Sequence, residues 1–160
     1  MAEDPIIVRP MTVLPPGTKN FITPAGALRL RGELEHLVQV ERPRLASEAA
    51  NDIDAKRPLA ALDQRIRQIE HSLNTMVVTE PPPAPDGVVR FGASVTVRNR
   101  AGEETIYRIV GVNETDLDRD WVSWLSPMAK ALLHARIGDR VPLKLPGGND
   151  ELEILSVSYE

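Results

Sequence analysis

The spacing of apolar residues changes abruptly at a proline-rich run, and this change constrains the fold more than any other feature. The run occupies residues 80–87 and contains four prolines. Before it, apolar residues recur every three or four positions, as in amphipathic helices. After it, they alternate with polar residues, as in half-buried strands. The sequence therefore predicts an α+β fold, with a helical first half and a β-rich second half separated by a semi-rigid spacer.

The helical half contains two amphipathic segments with a polar stretch between them. The first begins at Thr23 and Pro24, which form a helix-start signal, and its apolar face continues to Leu45. Pro43 lies inside it and should kink or weaken the helix. The second segment is a heptad seam formed by Leu59, Leu62, Ile66, Ile69, Leu73 and Met76. Two such helices joined by a polar turn predict an antiparallel coiled-coil hairpin.

These patterns divide the chain into four parts. Residues 1–20 lack periodicity and are predicted to form a flexible arm. Residues 21–77 form the predicted hairpin, 78–88 the proline-rich linker and 89–160 the β-rich domain. In that domain we predict a short helix over 128–134 with Ser126 as its N-cap, and a turn over 146–150. The predicted strands span residues 94–98, 105–110, 121–125, 140–145 and 152–159.

Composition narrows the classes of function. There is no Cys, which excludes disulfides and thiol chemistry and fits a reducing cytoplasm. No apolar run is long enough to cross a membrane. The net charge is −4, so a protein partner is a better expectation than nucleic-acid binding by this chain alone. The acidic run 116–120 lacks the Gly and Glu that a calcium loop requires. No catalytic triad or phosphate-binding loop is present, so we expect no enzyme activity of its own.

Several segments of the chain form a recognisable set. The most specific is the block Ser-Pro-Met-Ala-Lys-Ala-Leu-Leu at 126–133, followed by Gly138 and Asp139. The others are residues 19–26, 34–43, 62–67, 91–95 and 107–111. Together they resemble the Gre family of bacterial transcription elongation factors, more closely its GreB branch. Residues 145–148 and 152–155 also resemble the short-hairpin relatives called regulators of nucleoside diphosphate kinase.

The resemblance implies a concrete mechanism. Such factors combine a coiled-coil hairpin with a C-terminal FKBP-like domain that docks on RNA polymerase. The hairpin enters the polymerase secondary channel, where acidic tip residues help to hold the polymerase Mg²⁺ for cleavage of backtracked RNA. The resemblance thus implies a cytoplasmic chain with RNA polymerase as its partner, indirect contact with RNA and DNA, and no stable cofactor beyond transient sharing of that Mg²⁺. We expect it to be a monomer.

The hairpin tip departs from the family pattern. Gre factors that promote cleavage carry Gly-Asp-x-Ser-Glu-Asn-Ala there. Residues 47–50 of this chain match the second half of that pattern, but of its two acidic positions only Glu48 is retained, and Leu45 stands at the Asp position. The segment is also shorter by about a dozen residues. Shared between the two arms at about 1.5 Å rise per residue, this loss shortens the hairpin by roughly 9 Å. Asp52 and Asp54 could serve as a substitute acidic tip. The alternative is that they are solvated turn residues, with Asp54 capping the second helix.

The docking surface departs from the family as well. Many members have Asp immediately before Ser-Pro, and this chain has Leu125. Ser126, Pro127 and Met128 remain as candidates for polymerase contact. Helix capping and core packing are the alternative roles for these three residues.

The sequence therefore favours a polymerase-binding elongation regulator that does not cleave, or cleaves weakly, because its acidic tip is shortened and altered. One alternative is a transcript-cleavage factor that uses Glu48, Asp52 or Asp54. A second alternative, from another class, is a generic protein-interaction module.

Overall fold

The computed structural model describes residues 14–159, which form two compact units. The helical unit contains residues 14–20 and 25–76, and the β unit contains residues 21–24 and 77–159. The predicted α+β class, with a helical N-terminal region and a curled sheet, is confirmed. A flexible arm is predicted for residues 1–20, and residues 1–13 of it lie outside the described residues. Its predicted end is corrected, because Asn20 is buried and begins a strand.

Two helical arms make up the helical unit. The first consists of α1 (Pro24–His36), a π-helical turn (Leu37–Glu41) and α2 (Arg42–Ala49). The second is α3 (Lys56–Thr75). Most of the predicted apolar faces are buried, and Leu34, Leu59, Leu73 and Met76 are half-buried. The residues at most 8% exposed are Ala27, Leu30, Leu37, Leu45, Leu62, Ile66 and Ile69. Short strands β1 (Asn20–Ile22) and β2 (Met76–Val78) pair with each other at the base of the arms.

The irregularity predicted at Pro43 takes the form of the π-helical turn. Proline has no backbone N–H, and its ring clashes with the carbonyl four residues earlier in a regular helix. The turn precedes Pro43, and the N–H of Arg42 bonds to the carbonyl of Leu37, five residues back. The wider turn lets the first arm continue through Pro43 into α2.

Five strands form the curled sheet of the β unit, in the order β5-β4-β3-β7-β6. They are β3 (Ala93–Arg98), β4 (Glu104–Val110), β5 (Trp121–Ser123), β6 (Arg140–Leu145) and β7 (Gly148–Tyr159). All neighbours are antiparallel except β4 and β5. The register of β3 against β7 shifts between Thr96 and Val97, and such a bulge increases the local bend of a sheet.

One face of the sheet packs on the short helix α4 (Pro127–Leu132). Val95, Val97, Ile109, Leu132 and Ile154 form the centre of this core. Strand alternation therefore leaves the opposite face, with Ser94, Thr96 and Ile106, outside the core.

Three predicted boundaries in the β unit are corrected. The turn predicted over 146–150 contains only Pro146 and Gly147, because Leu145 already pairs with Gly148 and β7 begins there. Strand β5 ends at Ser123 rather than 125, since the N–H of Leu125 bonds to the Ser123 side chain. Helix α4 ends at Leu132 rather than 134. Within residues 14–159, no helix is long and apolar enough to cross a membrane.

Candidate functional site

The turn between the helical arms contains or adjoins the three acidic candidates, Glu48, Asp52 and Asp54. Each of the three has different surroundings. After Ala49 the chain closes with bonds from the N–H groups of Asn51 and Asp52 to the carbonyl of Glu48, at 3.1 and 2.9 Å. Asp52 is extended, and a 3₁₀ turn (Ile53–Ala55) then leads into α3. The turn is polar and exposed, so its carboxylates are hydrated unless local groups bind them.

Asp52 caps the 3₁₀ turn. Its carboxylate accepts a hydrogen bond from the N–H of Asp54 at 2.9 Å, which satisfies a donor at the start of the turn. The alternative in which Asp54 caps the second helix is therefore wrong: Asp52 caps the 3₁₀ turn, and α3 begins after Ala55, which offers no side-chain cap. The physical reason is the added 3₁₀ turn, which moves the cap position two residues earlier than Asp54.

Glu48 is engaged with a neighbouring arginine. The Arg44 guanidinium lies 3.1 Å from the Glu48 carboxylate and 2.7 Å from that of Glu41. The hydrogen bond from Arg44 lowers the pKa of Glu41 below its usual value, with a further lowering from the charge of Arg44. Glu48 thus belongs to an ion-pair network along one side of α2.

Asp54 is the uncommitted carboxylate of the turn. Within residues 14–159 its side chain has no hydrogen bond or ion pair, and it is exposed. Beside it, Ile53 is 76% exposed at the apex of the turn, a feature that the sequence analysis did not single out. In the described part of the chain, no group of three or more His, Asp or Glu side chains is arranged to hold a metal ion.

The three docking candidates lie where β5 runs into α4. Ser126 caps the helix, and its Oγ accepts a hydrogen bond from the N–H of Ala129 at 3.1 Å. Met128 is half-buried and packs against the core. Pro127, at the first helical position, is the exposed member of the three. Capping and packing thus account for Ser126 and Met128, and Pro127 presents the surface on which a partner could bind.

The buried carboxylate of Glu114, which no sequence pattern predicted, holds residues 21–24 within the β unit by hydrogen bonds. Glu114 is 7% exposed and accepts hydrogen bonds from the N–H and hydroxyl of Thr23 and from the N–H of Gly111 at 2.8 Å. A Cβ on Gly111 would clash with the carbonyl oxygen of Phe21. The Phe21 ring packs on Trp124 and Phe91, with centroids 5.0 and 5.8 Å away. No motif marks Glu114, since its role depends on a residue 91 positions away.

Sequence comparison identifies the family. Residues 84–159 match the family model described as transcription elongation factor, GreA/GreB, C-terminal. Transcription elongation factor GreB of Neisseria meningitidis is 40% identical over 156 residues, covering 89% of this chain and 95% of that protein. This chain belongs to the GreA/GreB family of transcription elongation factors. The predicted resemblance is thereby confirmed.

Two further relatives of this GreA/GreB family member were compared. Transcription elongation factor GreA of Francisella tularensis subsp. novicida is 35% identical over 153 residues, covering 87% of this chain and 96% of that protein. The solved structure of a prokaryotic transcription elongation factor GreA/GreB from Nitrosomonas europaea is 26% identical with a TM-score of 0.44, covering 89% of this chain and 99% of that one. The family assignment rests on the sequence matches.

Proposed function

We propose that this chain binds RNA polymerase as an elongation regulator, acts through the secondary channel, and stimulates transcript cleavage weakly or not at all. Its membership of a family of transcription elongation factors supports the first part. In this proposal the chain has no catalytic residue or stable cofactor of its own. It works in the cytoplasm as a monomer, and it contacts RNA and DNA only through the elongation complex.

The two units have separate roles in this proposal. The helical unit acts as an antiparallel coiled-coil hairpin that enters the channel, and residues 89–160 act as an FKBP-like domain that docks on the polymerase. The buried heptad positions of α3 support the first assignment. So does a two-bond ion pair between the arms, in which Arg65 donates to Glu33 at 2.8 and 2.9 Å.

The weak-cleavage proposal rests on one observation: acidic residues at the turn are bound to local partners. A carboxylate helps to hold Mg²⁺ only if its oxygens reach about 2 Å from the ion. Glu48 is paired with Arg44, and Asp52 caps the 3₁₀ turn, so both would have to exchange a local partner for the metal. Leu45, at the family's Asp position, is 6% exposed and belongs to the packed face of the arm.

The extent of one match supports an internal shortening of this chain. The match to the Neisseria protein runs over 156 residues but covers 89% of this chain of 160, which is about 142 residues. The difference of about 14 positions corresponds to gaps on the side of this chain. A shortening of this size, placed at the hairpin, would hold the turn back from the polymerase Mg²⁺.

A second candidate function is stimulation of transcript cleavage through Asp54. The observation that favours it is the exposed, uncommitted carboxylate of Asp54 at the end of the arms. In that case the polymerase would supply the metal and the chemistry, and Asp54 would supply one oxygen ligand or orient water.

The test measures cleavage of nascent RNA in stalled, backtracked elongation complexes, with binding to the same complexes followed in parallel. We expect binding, no cleavage above the intrinsic rate, and no change for Asp54→Asn or for the double variant Asp52→Asn, Asp54→Asn. Glu70→Gln, an exposed carboxylate change on α3 away from the turn, is the matched control. Cleavage that Asp54→Asn abolishes and Glu70→Gln preserves would establish the second candidate. Absence of binding would instead favour the generic interaction module.

A further inference from the structure

The outer face of the sheet, opposite α4, carries an apolar cluster that the function proposed above leaves unused. Tyr107 and Val122 pack against the core, so their neighbours Ile106 and Trp121 point to the other side of the sheet. Ile106 is 59% exposed, and Leu117, in the 3₁₀ turn before β5, is 86% exposed. We call Ile106, Arg108, Leu117 and Trp121 the outer patch.

The register of the strands makes this patch continuous. Arg108 on β4 pairs with Trp121 on β5, and Ile106 lies two residues before Arg108 on the same side. Leu117 is brought beside Trp121 because Asp116 and Trp121 form a bridge. Trp and Arg are enriched at energetically important protein contacts, and the exposed Ile106 and Leu117 add apolar surface beside them.

Arg108 of the patch and the neighbouring Arg119 both stack on the Trp121 indole. The guanidinium carbons of Arg108 and Arg119 lie 4.9 and 5.1 Å from the centre of the Trp121 ring. Arg119 also pairs with Asp116 at 3.4 Å. In the described chain the Nε of Arg108 is buried and has no hydrogen-bond acceptor.

The surrounding charges select the kind of partner. Glu104 precedes Ile106 on the same side of β4, and Asp116 and Asp118 flank Leu117. Arg108 and Arg119 offset part of this charge, and three acidic groups against two arginines leave an excess of negative charge around the apolar centre. That excess disfavours phosphates, and so nucleic acid, and favours a basic protein segment with apolar side chains.

We infer that the outer patch is a second contact surface for RNA polymerase, which fits a basic, apolar-faced segment of that enzyme. This inference rests on the proposed function, since it takes polymerase as the partner. It differs from docking through Ser126, Pro127 and Met128, because those residues lie at the corner that leads into α4, on the core side of the sheet.

The test compares the polymerase affinity of Leu117→Ser and Ile106→Ser with that of the unchanged chain. Truncating residues at the centre of a contact costs more than about 1 kcal/mol, so we expect each variant to bind at least about fivefold more weakly. Leu145→Ser is the matched control: Leu145 is a 48% exposed aliphatic residue at the end of β6, outside the patch, and its change should leave affinity unaltered.

A second arm of the test addresses charge. Affinity should fall as salt rises, and Asp118→Asn should make that dependence shallower. Equal affinity of Leu117→Ser, Ile106→Ser and Leu145→Ser would overturn the inference while leaving the proposed function intact. Failure of the unchanged chain to bind polymerase would overturn both, so the two failures are distinguishable. Near-ultraviolet circular dichroism of each variant verifies that the β unit remains folded.

Discussion

At the scale of single residues, Gly111 and Glu114 hold the segment 21–24 within the β unit by steric fit and hydrogen bonding. A methyl group on Gly111 would meet the carbonyl oxygen of Phe21, which is backbone and cannot rotate away. We expect Gly111→Ala to lower the free energy of unfolding by about 2 kcal/mol, in the range typical of overpacking. Gly147→Ala, with no atom within 4 Å of its added Cβ, is the control. Chemical denaturation measures both, and equal midpoints would contradict the steric account.

Removing the Glu114 carboxylate tests the hydrogen bonds of the same cluster. Glu114→Ala would leave the buried N–H groups of Thr23 and Gly111 without this acceptor, and each such loss costs about 1–3 kcal/mol. Glu114→Gln keeps an acceptor oxygen and should recover part of the stability. Thermal unfolding of both variants measures this order. Equal destabilisation by Ala and Gln would show that the oxygen is not what stabilises the cluster.

At the scale of elements, the π-helical turn before Pro43 is expected to be the weak point of the first arm. Its hydrogen bonding is irregular, whereas α3 is an uninterrupted helix of 20 residues. Backbone amides in residues 38–44 should therefore exchange with solvent faster than those at the centre of α3. Pro43→Ala, which restores a donor, should slow that exchange. Native-state hydrogen exchange by mass spectrometry makes the comparison, and uniform protection of both arms would contradict it.

The packing of the two arms also depends on the pair Arg65–Glu33. Arg65→Gln removes both hydrogen bonds and should destabilise the helical unit by about 0.5–1 kcal/mol, since the pair is only partly buried. Arg67→Gln, an exposed change on the same helix, should have no measurable effect. Helical circular dichroism during thermal unfolding compares the two variants. A larger loss for Arg67→Gln would refute the assignment.

At the scale of the whole molecule, the β unit combines residues that precede the helical arms in the sequence, 21–24, with residues that follow them, 77–159. A fragment that begins at Val77 lacks Phe21, whose ring packs against Trp124. We expect such a fragment, carrying Trp121→Phe so that Trp124 alone reports, to show red-shifted tryptophan emission and lower stability than the full chain with the same change. Phe21→Ala in the full chain should reproduce part of the shift. Emission identical to that of the full chain would contradict this account.

The elements could be predicted from the sequence because each depends on local chemistry. The spacing of Leu62, Ile66 and Ile69 predicted the buried face of α3, and Ser126 with Pro127 predicted the start of α4. What could not be predicted depends on distant contacts. The carboxylate of Glu114 meets Thr23 across 91 positions, and the commitment of Asp52 to a cap depends on a 3₁₀ turn that no spacing indicates.

The central claim is that this chain occupies the polymerase channel without supporting cleavage, and competition tests it most directly. Backtracked elongation complexes are incubated with a fixed amount of a cleavage-active GreB relative, and this chain is added in increasing amounts. The account predicts that the cleavage rate falls toward the intrinsic level as the chain displaces the active factor. A rate that stays constant would show that the two proteins do not share a site. A rate that rises would show that the turn at Asp52–Asp54 supports cleavage after all.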